Sequence, residues 1–286
     1  MGDEAEVKRI VDMKSLNCLK CGKSLTPRQI LNHRKYCSIA CCNKHKFQVR
    51  KERLTTAKQV WACGGGVEST TIAALIVQGK LPKPDLAYIT DCGWERSSTW
   101  EHVNNFLIPE LDKVNVRLQI IKTVDYTEND IIDRNGWIRI PLFVKKNGKI
   151  GKARSFCNRK WKAQVANKWL KKQGVERCET WFGINCDDKS RVRKSQYWWN
   201  QNKYPLVEQK INREKCIWIL GQMGWPKPLR TSCFICPSQS NADWINIKEN
   251  YPEDWAKACE VEKYIREIDS NMYLHKACVP LDQVKF

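Results

Sequence analysis

Residues 58–70 constrain this chain more than any other stretch. A short apolar run, Lys58-Gln-Val-Trp-Ala-Cys63, passes directly into Gly64, Gly65 and Gly66 and then into Val67-Glu68-Ser69-Thr70. An apolar run of that length closed by glycine reads as a buried strand, and the stretch 69–78 reads as a helix that stops near Gly79. Strand, glycine loop and helix start in that order make an anion site. Glycine lets backbone N–H groups approach a phosphate, and the unpaired amides of a helix N-terminus add partial positive charge. The Ser69 and Thr70 hydroxyls are further donors. The loop is not a Walker loop, since no Gly-Lys-Ser/Thr follows at the required spacing, and it lacks the alternating glycines of a dinucleotide loop. A tight strand-to-helix turn is the alternative on spacing alone.

The rest of the chain repeats the alternation. Residues 85–91 read as a second strand, 97–111 as a helix, 116–121 as a third strand, 158–172 as a helix and 179–184 as a strand. Strands alternating with helices predict an α/β fold with a mostly parallel, Rossmann-like sheet covered by helices. With 42% hydrophobic residues, the 286-residue chain can bury a sizeable core. From Asp187 onward, Trp, Pro and charge are dense and the periodicity is harder to read.

Lys and Arg number 50 against 31 Asp and Glu, a formal charge of +19 that favours polyanionic partners and weakens its hold on them as salt rises. Residues 1–10 carry Asp3, Glu4 and Glu6 and no apolar core, and no apolar run is long enough to span a bilayer, so the expected setting is cytoplasmic, without a membrane. In such a reducing setting, fifteen cysteines read as metal ligands or reactive thiols rather than as a disulfide framework.

Two cysteine sets stand out. Cys18-x-x-Cys21 followed by Cys37-x-x-x-Cys41 has the spacing of a structural Zn²⁺ site, inside a segment of few large aliphatics that cannot build a core without a metal. Cys42 and His33 compete as ligands and read as bystanders. This divides the chain into a zinc-finger-like segment at 1–50 and a nucleotide-binding domain at 55–286, whose part from about 230 to 286 carries further cysteines. The second set, Cys157 with Cys233 and Cys236, suits an iron–sulfur cluster joining distant parts of the domain, with Cys216 or Cys278 as a fourth ligand or an open iron; structural zinc and free thiols stay open. Cys63, Cys92, Cys178 and Cys259 read one by one as small buried residues. Trp198-Trp199, after Arg191, Arg193 and Lys194, reads as packing before base stacking, and His102 and His275 have no evident partner.

Gly64 to Ser69 resembles the Ser-Gly-Gly-x-Asp-Ser loop of the adenine-nucleotide α-hydrolase superfamily, in particular its phosphoadenosine phosphosulfate (PAPS) reductase-like branch, with Gly64 for Ser and Glu68 for Asp. Four further motifs resemble that branch in the same order. They are Asp91-Cys-Gly-Trp-Glu95, Arg154-Ser-Phe-Cys157-Asn-Arg-Lys160-Trp-Lys162, Gly183-Ile-Asn-Cys-Asp187-Asp-Lys-Ser-Arg191-Val-Arg193, and Ser232-Cys233-Phe-Ile-Cys236-Pro237. Tyr36-Cys-Ser-Ile-Ala-Cys41 resembles half of a small treble-clef-like finger. The resemblance implies a HUP-type nucleotide-binding fold that takes ATP or an adenylyl phosphosulfate with Mg²⁺. Gly64, Gly65, Gly66, Glu68, Ser69, Thr70, Lys162, Gly183 and Arg193 would hold the nucleotide, and Asp91, Glu95, Lys160 and Arg191 would serve the chemistry. It implies a [4Fe–4S] cluster on the second cysteine set, and a sulfur donor or thiol reductant as co-reactant.

Two reactions fit that branch. A literal phosphosulfate reductase needs a Glu-Cys-Gly-x-His thiolate near its C-terminus; here Cys278 sits instead in His275-Lys-Ala-Cys-Val-Pro280. An ATP pyrophosphatase that activates DNA or RNA for sulfur insertion agrees better with the charge and the finger. A catalytically inactive binding module is the alternative of another class.

Overall fold

The computed structural model describes residues 17–32, 34–45 and 57–286. His33 and the expected boundary between residues 50 and 55 lie outside the described residues. The chain forms two compact units, Met1–Ala57 and Lys58–Phe286.

In the first unit, Asn17 bridges Ser24 across a tight turn in which Cys18 N–H donates to Lys23 O at 2.8 Å and Gly22 N–H to Cys18 O at 3.0 Å. Helix α1, Pro27–Leu31, starts in a capping box in which Thr26 and Gln29 satisfy each other's backbone N–H groups. Residues 39–45 are helical and carry Cys41 and Cys42.

The second unit is built on a five-stranded parallel sheet. Its elements run β1 Lys58–Cys63, α2 Val67–Val77, β2 Leu86–Asp91, α3 97–112, β3 Leu118–Lys122, β4 Phe143–Lys146, β5 Lys149–Lys152, α4 158–172, β6 Cys178–Phe182, β7 Asn200–Lys203, α5 Arg213–Gln222, α6 Asn241–Asn250, α7 Pro252–Ile268 and β8 Met272–Tyr273. Side chains alternate across β1: Trp61 and Cys63 pack with α2, α3 and α5, while Val60 and Ala62 pack on the other face with Val165, Trp169 and Leu170 of α4. Helices thus cover both faces, which is why β1 reads as a continuous apolar run. A second, antiparallel sheet of order β5-β4-β8 shares a third apolar cluster with α6 and α7. Both α3 and α4 contain π-helical stretches, at Val103–Leu107 and Asn158–Ala163. No helix among the described residues is long and apolar enough to cross a membrane.

β2 and β3 lie on one side of β1, and β6 and β7 on the other. The glycine loop after β1 therefore opens where the strand order reverses, the position at which parallel α/β sheets leave a crevice outside their carboxyl ends.

Candidate phosphate and sulfur site

The loop after β1 is shaped by close approach. Gly65 has φ +70°, and a side chain there would come within 3.0 Å of Thr99 and 3.3 Å of Val103 on α3. Gly66 caps α2 in extended conformation without a side-chain cap. The first amides of α2 have no intrahelical acceptor, which leaves them for an anion. Ser69 Oγ accepts the Gly64 N–H at 2.8 Å, and its own hydroxyl reaches the buried Cys63 sulfur. Thr70, expected as a phosphate donor, is fully buried, and its hydroxyl donates to Gly66 O at 3.0 Å. With that hydrogen committed, His102 Nε2–H donates to Thr70 Oγ1 at 3.0 Å from α3, so Thr70 braces the loop from behind. Burial holds the His102 pKa below its ordinary value.

Gly183, at the end of β6, packs on the loop. A Cβ there would meet Glu68 Cβ and Ser69 N at 3.1 Å. Asn185, buried and absent from the sequence expectations, ties the two segments: Nδ2 donates to Glu68 Oε1 at 2.8 Å while Oδ1 accepts the N–H groups of Asp187 and Asp188 at 2.8 and 3.3 Å. Glu68 also pairs with Arg213 at 2.5 Å. Its carboxylate thereby ties the loop to the segment after β6 and to α5. Arg191 pairs with Asp188 at 2.8 Å, and Arg193 Nη1 donates to the Ser190 and Val192 carbonyls of its own loop.

At the end of β2, Asp91 Oδ1 accepts the Gly93 N–H at 2.7 Å. The segment 92–96 is zipped to 232–236 by a Glu95–Cys233 backbone bridge and by bonds from Arg96 N–H to Ser232 O and Phe234 N–H to Trp94 O. Beneath, the buried Arg96 guanidinium meets Asp243 at 3.4 Å and donates to Gln239. This zipper brings Cys92 Sγ to 3.5 Å from Cys233 Sγ, with Glu95 Oε1 at 3.8 and 3.9 Å from the two sulfurs and Lys162 on the same carboxylate. Burial by itself would lower the Lys162 pKa, but the Glu95, Cys233 and Cys92 charges around it more than offset this and raise it. Lys162, expected at the nucleotide, is paired here with Glu95. The hydrogen bond from Cys233 lowers the Cys92 pKa, and the same contact with burial raises that of Cys233.

Cys157, half-buried at the start of α4, and Cys236, whose N–H donates to Cys233 O at 3.0 Å, stand close enough for the charge of Cys236 to raise Cys157, after burial as the larger cause. Cys92, read from the sequence as a small buried residue, groups with Cys233 and Glu95, whose ligand atoms lie within 4.8 Å of one another, and Cys157 and Cys236 lie outside that group. Cys216 is sealed in the core between α2 and α5, and Cys278 is buried in the segment after β8, near Lys145 and Glu262. No spacing rule connects residues 92 and 233; the only sequence signal was a cysteine beside Glu95.

In the first unit, Cys18, Cys21, Cys37 and Cys41 offer four sulfurs within 4.8 Å of one another, with Cys21–Cys37 at 3.6 Å and Cys37–Cys41 at 3.5 Å. Cys42 is outside the group. The Cys37 backbone N–H is the largest cause lowering the Cys18 thiol to about 6, while hydrogen bonds with the Cys41 and Cys21 thiols raise Cys37 to about 12.

No protein-family model matches the chain, and no curated protein does. Among solved structures, the U34-tRNA thiolase NcsA from Methanococcus maripaludis, with its [4Fe–4S] cluster, is similar over 95% of this chain and 89% of its own, at 15% identity and a TM-score of 0.43. A likeness of that extent assigns no chemistry to this chain.

Proposed function

We propose that this chain is a nucleotide-dependent sulfur-transfer enzyme of the PAPS reductase-like, ATP-pyrophosphatase type that modifies nucleic acid. One observation carries the reading: the anion loop follows β1 at the reversal of sheet order, and Asp91, Glu95 and Cys92 follow the adjacent parallel strand β2, where Cys92 and Glu95 meet Cys233. In this reading the α2 amides and Ser69 hold the phosphates of ATP or an adenylyl phosphosulfate. Asp91 positions the nucleotide or its Mg²⁺, Lys162 holds Glu95 in place, and Lys160 with the 183–193 loop offsets charge as the anhydride breaks. Arg191 and Arg193 would have to leave their loop partners to contribute.

The four cysteines offer thiols from three segments of the unit, which suits a thiophilic centre, and Glu95 adds a carboxylate beside Cys92 and Cys233. Cys157, Cys233 and Cys236, with Cys92 beside them, would hold a [4Fe–4S] cluster, which would supply a site for sulfur next to the activated acceptor. The Cys92–Cys233 separation of 3.5 Å matches the edge of a tetrahedron around one ion, so the two sulfurs must part to bind separate irons. In the first unit, sulfurs 3.5 and 3.6 Å apart sit near the edge of about 3.8 Å that follows from a Zn–S bond of about 2.3 Å, which supports a single Zn²⁺ on Cys18, Cys21, Cys37 and Cys41.

The literal reductase requires a mobile C-terminal thiol, whereas Cys278 is 3% exposed and burial raises its pKa. The test is conversion of ATP to AMP and pyrophosphate with Mg²⁺, with and without added RNA or DNA, in anaerobically purified protein. Turnover that depends on Gly65 and Ser69 is expected. Absence of nucleotide binding by calorimetry would sink both enzyme readings and leave the binding module. Metal counting tests the centres: one zinc and four irons per chain are expected, and iron at background removes the cluster.

A further inference from the structure

We propose that residues 134–160, comprising the β4–β5 hairpin and the turn leading into α4, form a contact surface for single-stranded nucleic acid. The inference rests on the proposed function only for its purpose, since binding is measured without turnover.

From Arg134 to Lys162 the chain carries ten Lys and Arg and no Asp or Glu. A solvated face ordinarily mixes signs. Some of these cations are engaged: Arg134 and Arg139 with Glu128, Lys146 with Asp269 at 3.9 Å, Lys162 with Glu95, and Lys152 with Ser238 Oγ at 2.8 Å. Among the described residues, Lys145, Lys149, Arg154, Arg159 and Lys160 form no ion pair, and all are exposed. Lysines on a free edge strand also keep that edge from pairing with other chains. That accounts for the lysines of β5 but not for Arg154, Arg159 and Lys160, which lie beyond the strand.

Nor does it account for the rings. Trp137 is 68% and Phe156 47% exposed within the most basic part of the molecule. The N–H groups of Phe156 and Cys157 both donate to Arg139 O at 2.9 Å, which fastens Phe156 to the loop that carries Trp137. Exposed rings among unpaired cations suit an unstacked strand, whose bases offer faces for stacking while its phosphates meet the cations. The hairpin is a firm mount: Asn147 and Gly148 turn it with φ +50° and +73°, and β4 pairs with both β5 and β8. Directly after Cys157, α4 leads to Lys162 on Glu95, so a strand lying along the hairpin would run toward the sulfur set.

Fluorescence anisotropy of the full chain with short mixed-sequence single-stranded RNA, single-stranded DNA and a duplex tests this. Single strands should bind more tightly than the duplex. Trp137→Ala and Phe156→Ala should each weaken binding at least about five-fold. Lys145→Gln/Lys149→Gln/Arg154→Gln should make the salt dependence shallower by roughly 0.7 log units for each phosphate left without its cation. All five positions are exposed, so unchanged thermal melts are expected. A control of equal charge, Lys80→Gln/Lys83→Gln/Lys257→Gln, should bind like wild type. An equal weakening in the control, tighter binding of the duplex, or binding of acidic vesicles but not of single strands overturns the surface. Loss of binding on the hairpin with pyrophosphate release retained also separates the two readings: binding by wild type without turnover sinks the enzyme and keeps the surface, whereas turnover without any single-strand binding does the reverse.

Discussion

The two sulfur-rich regions of this protein are assembled in opposite ways. Cys18, Cys21, Cys37 and Cys41 converge across 24 residues that contain almost no apolar core, so the sulfurs themselves hold the segment together. Cys92 and Cys233 come from segments 141 residues apart along the chain, brought together by a parallel sheet, the backbone bonds between 92–96 and 232–236 and the Arg96–Asp243 pair, all of which exist without the sulfurs. In the first region a metal would make the fold, and in the second the fold alone brings the sulfurs together.

That contrast breaks most sharply at Cys37. Cys37→Ser, or chelation, should unfold residues 17–45 and abolish amide-exchange protection at Cys18 and Gly22, while the transition of the second unit stays put. The reverse result would erase the distinction. Next, Arg96→Ala should destabilise the second unit by about 3 kcal/mol in denaturant melts and lower its iron content, because Asp243 and the zipper lose a buried partner. Gly183→Ala should cost about 1–3 kcal/mol and weaken nucleotide binding in calorimetry, since the new Cβ meets the Glu68–Ser69 backbone at 3.1–3.2 Å. His102 gives a smaller, pH-dependent effect. Its folded pKa lies below the ordinary 6.5, so its contribution is intact above that value and is lost as pH falls toward the lowered one; His102→Gln should flatten the melting temperature across that window. Smallest of all, Gly64→Ser should change stability by less than about 0.5 kcal/mol and keep nucleotide binding, because a Cβ there makes only an ordinary 3.5 Å contact with Ser69.

The strands at 58–63, 85–91 and 116–121 and the helix at 158–172 were legible because buried parallel strands leave continuous apolar runs and amphipathic helices leave a 3.6-residue period. The β4–β5 hairpin went unread although Asn147-Gly148 is a strong hairpin signal, because lysines flank it where alternating apolar residues usually do. Asn200–Lys203 carries no strand signal at all; these polar residues are a strand because the edge of β6 offers them a hydrogen-bonding partner. At the site, the glycine loop was readable from its residue types. That Thr70 faces His102, that Glu68 binds Arg213, and that Lys162 sits on Glu95 depended on side chains arriving from other elements.

By itself, then, the sequence determined what acts over short range: the strand–loop–helix anion site, the alternation that makes a parallel sheet, and the spacing of the first four cysteines. Only the tertiary structure decided which distant groups share a space. Cys92 meets Cys233 because parallel strands end together in one crevice and the 92–96 and 232–236 backbones hydrogen-bond there, a juxtaposition that no local periodicity encodes.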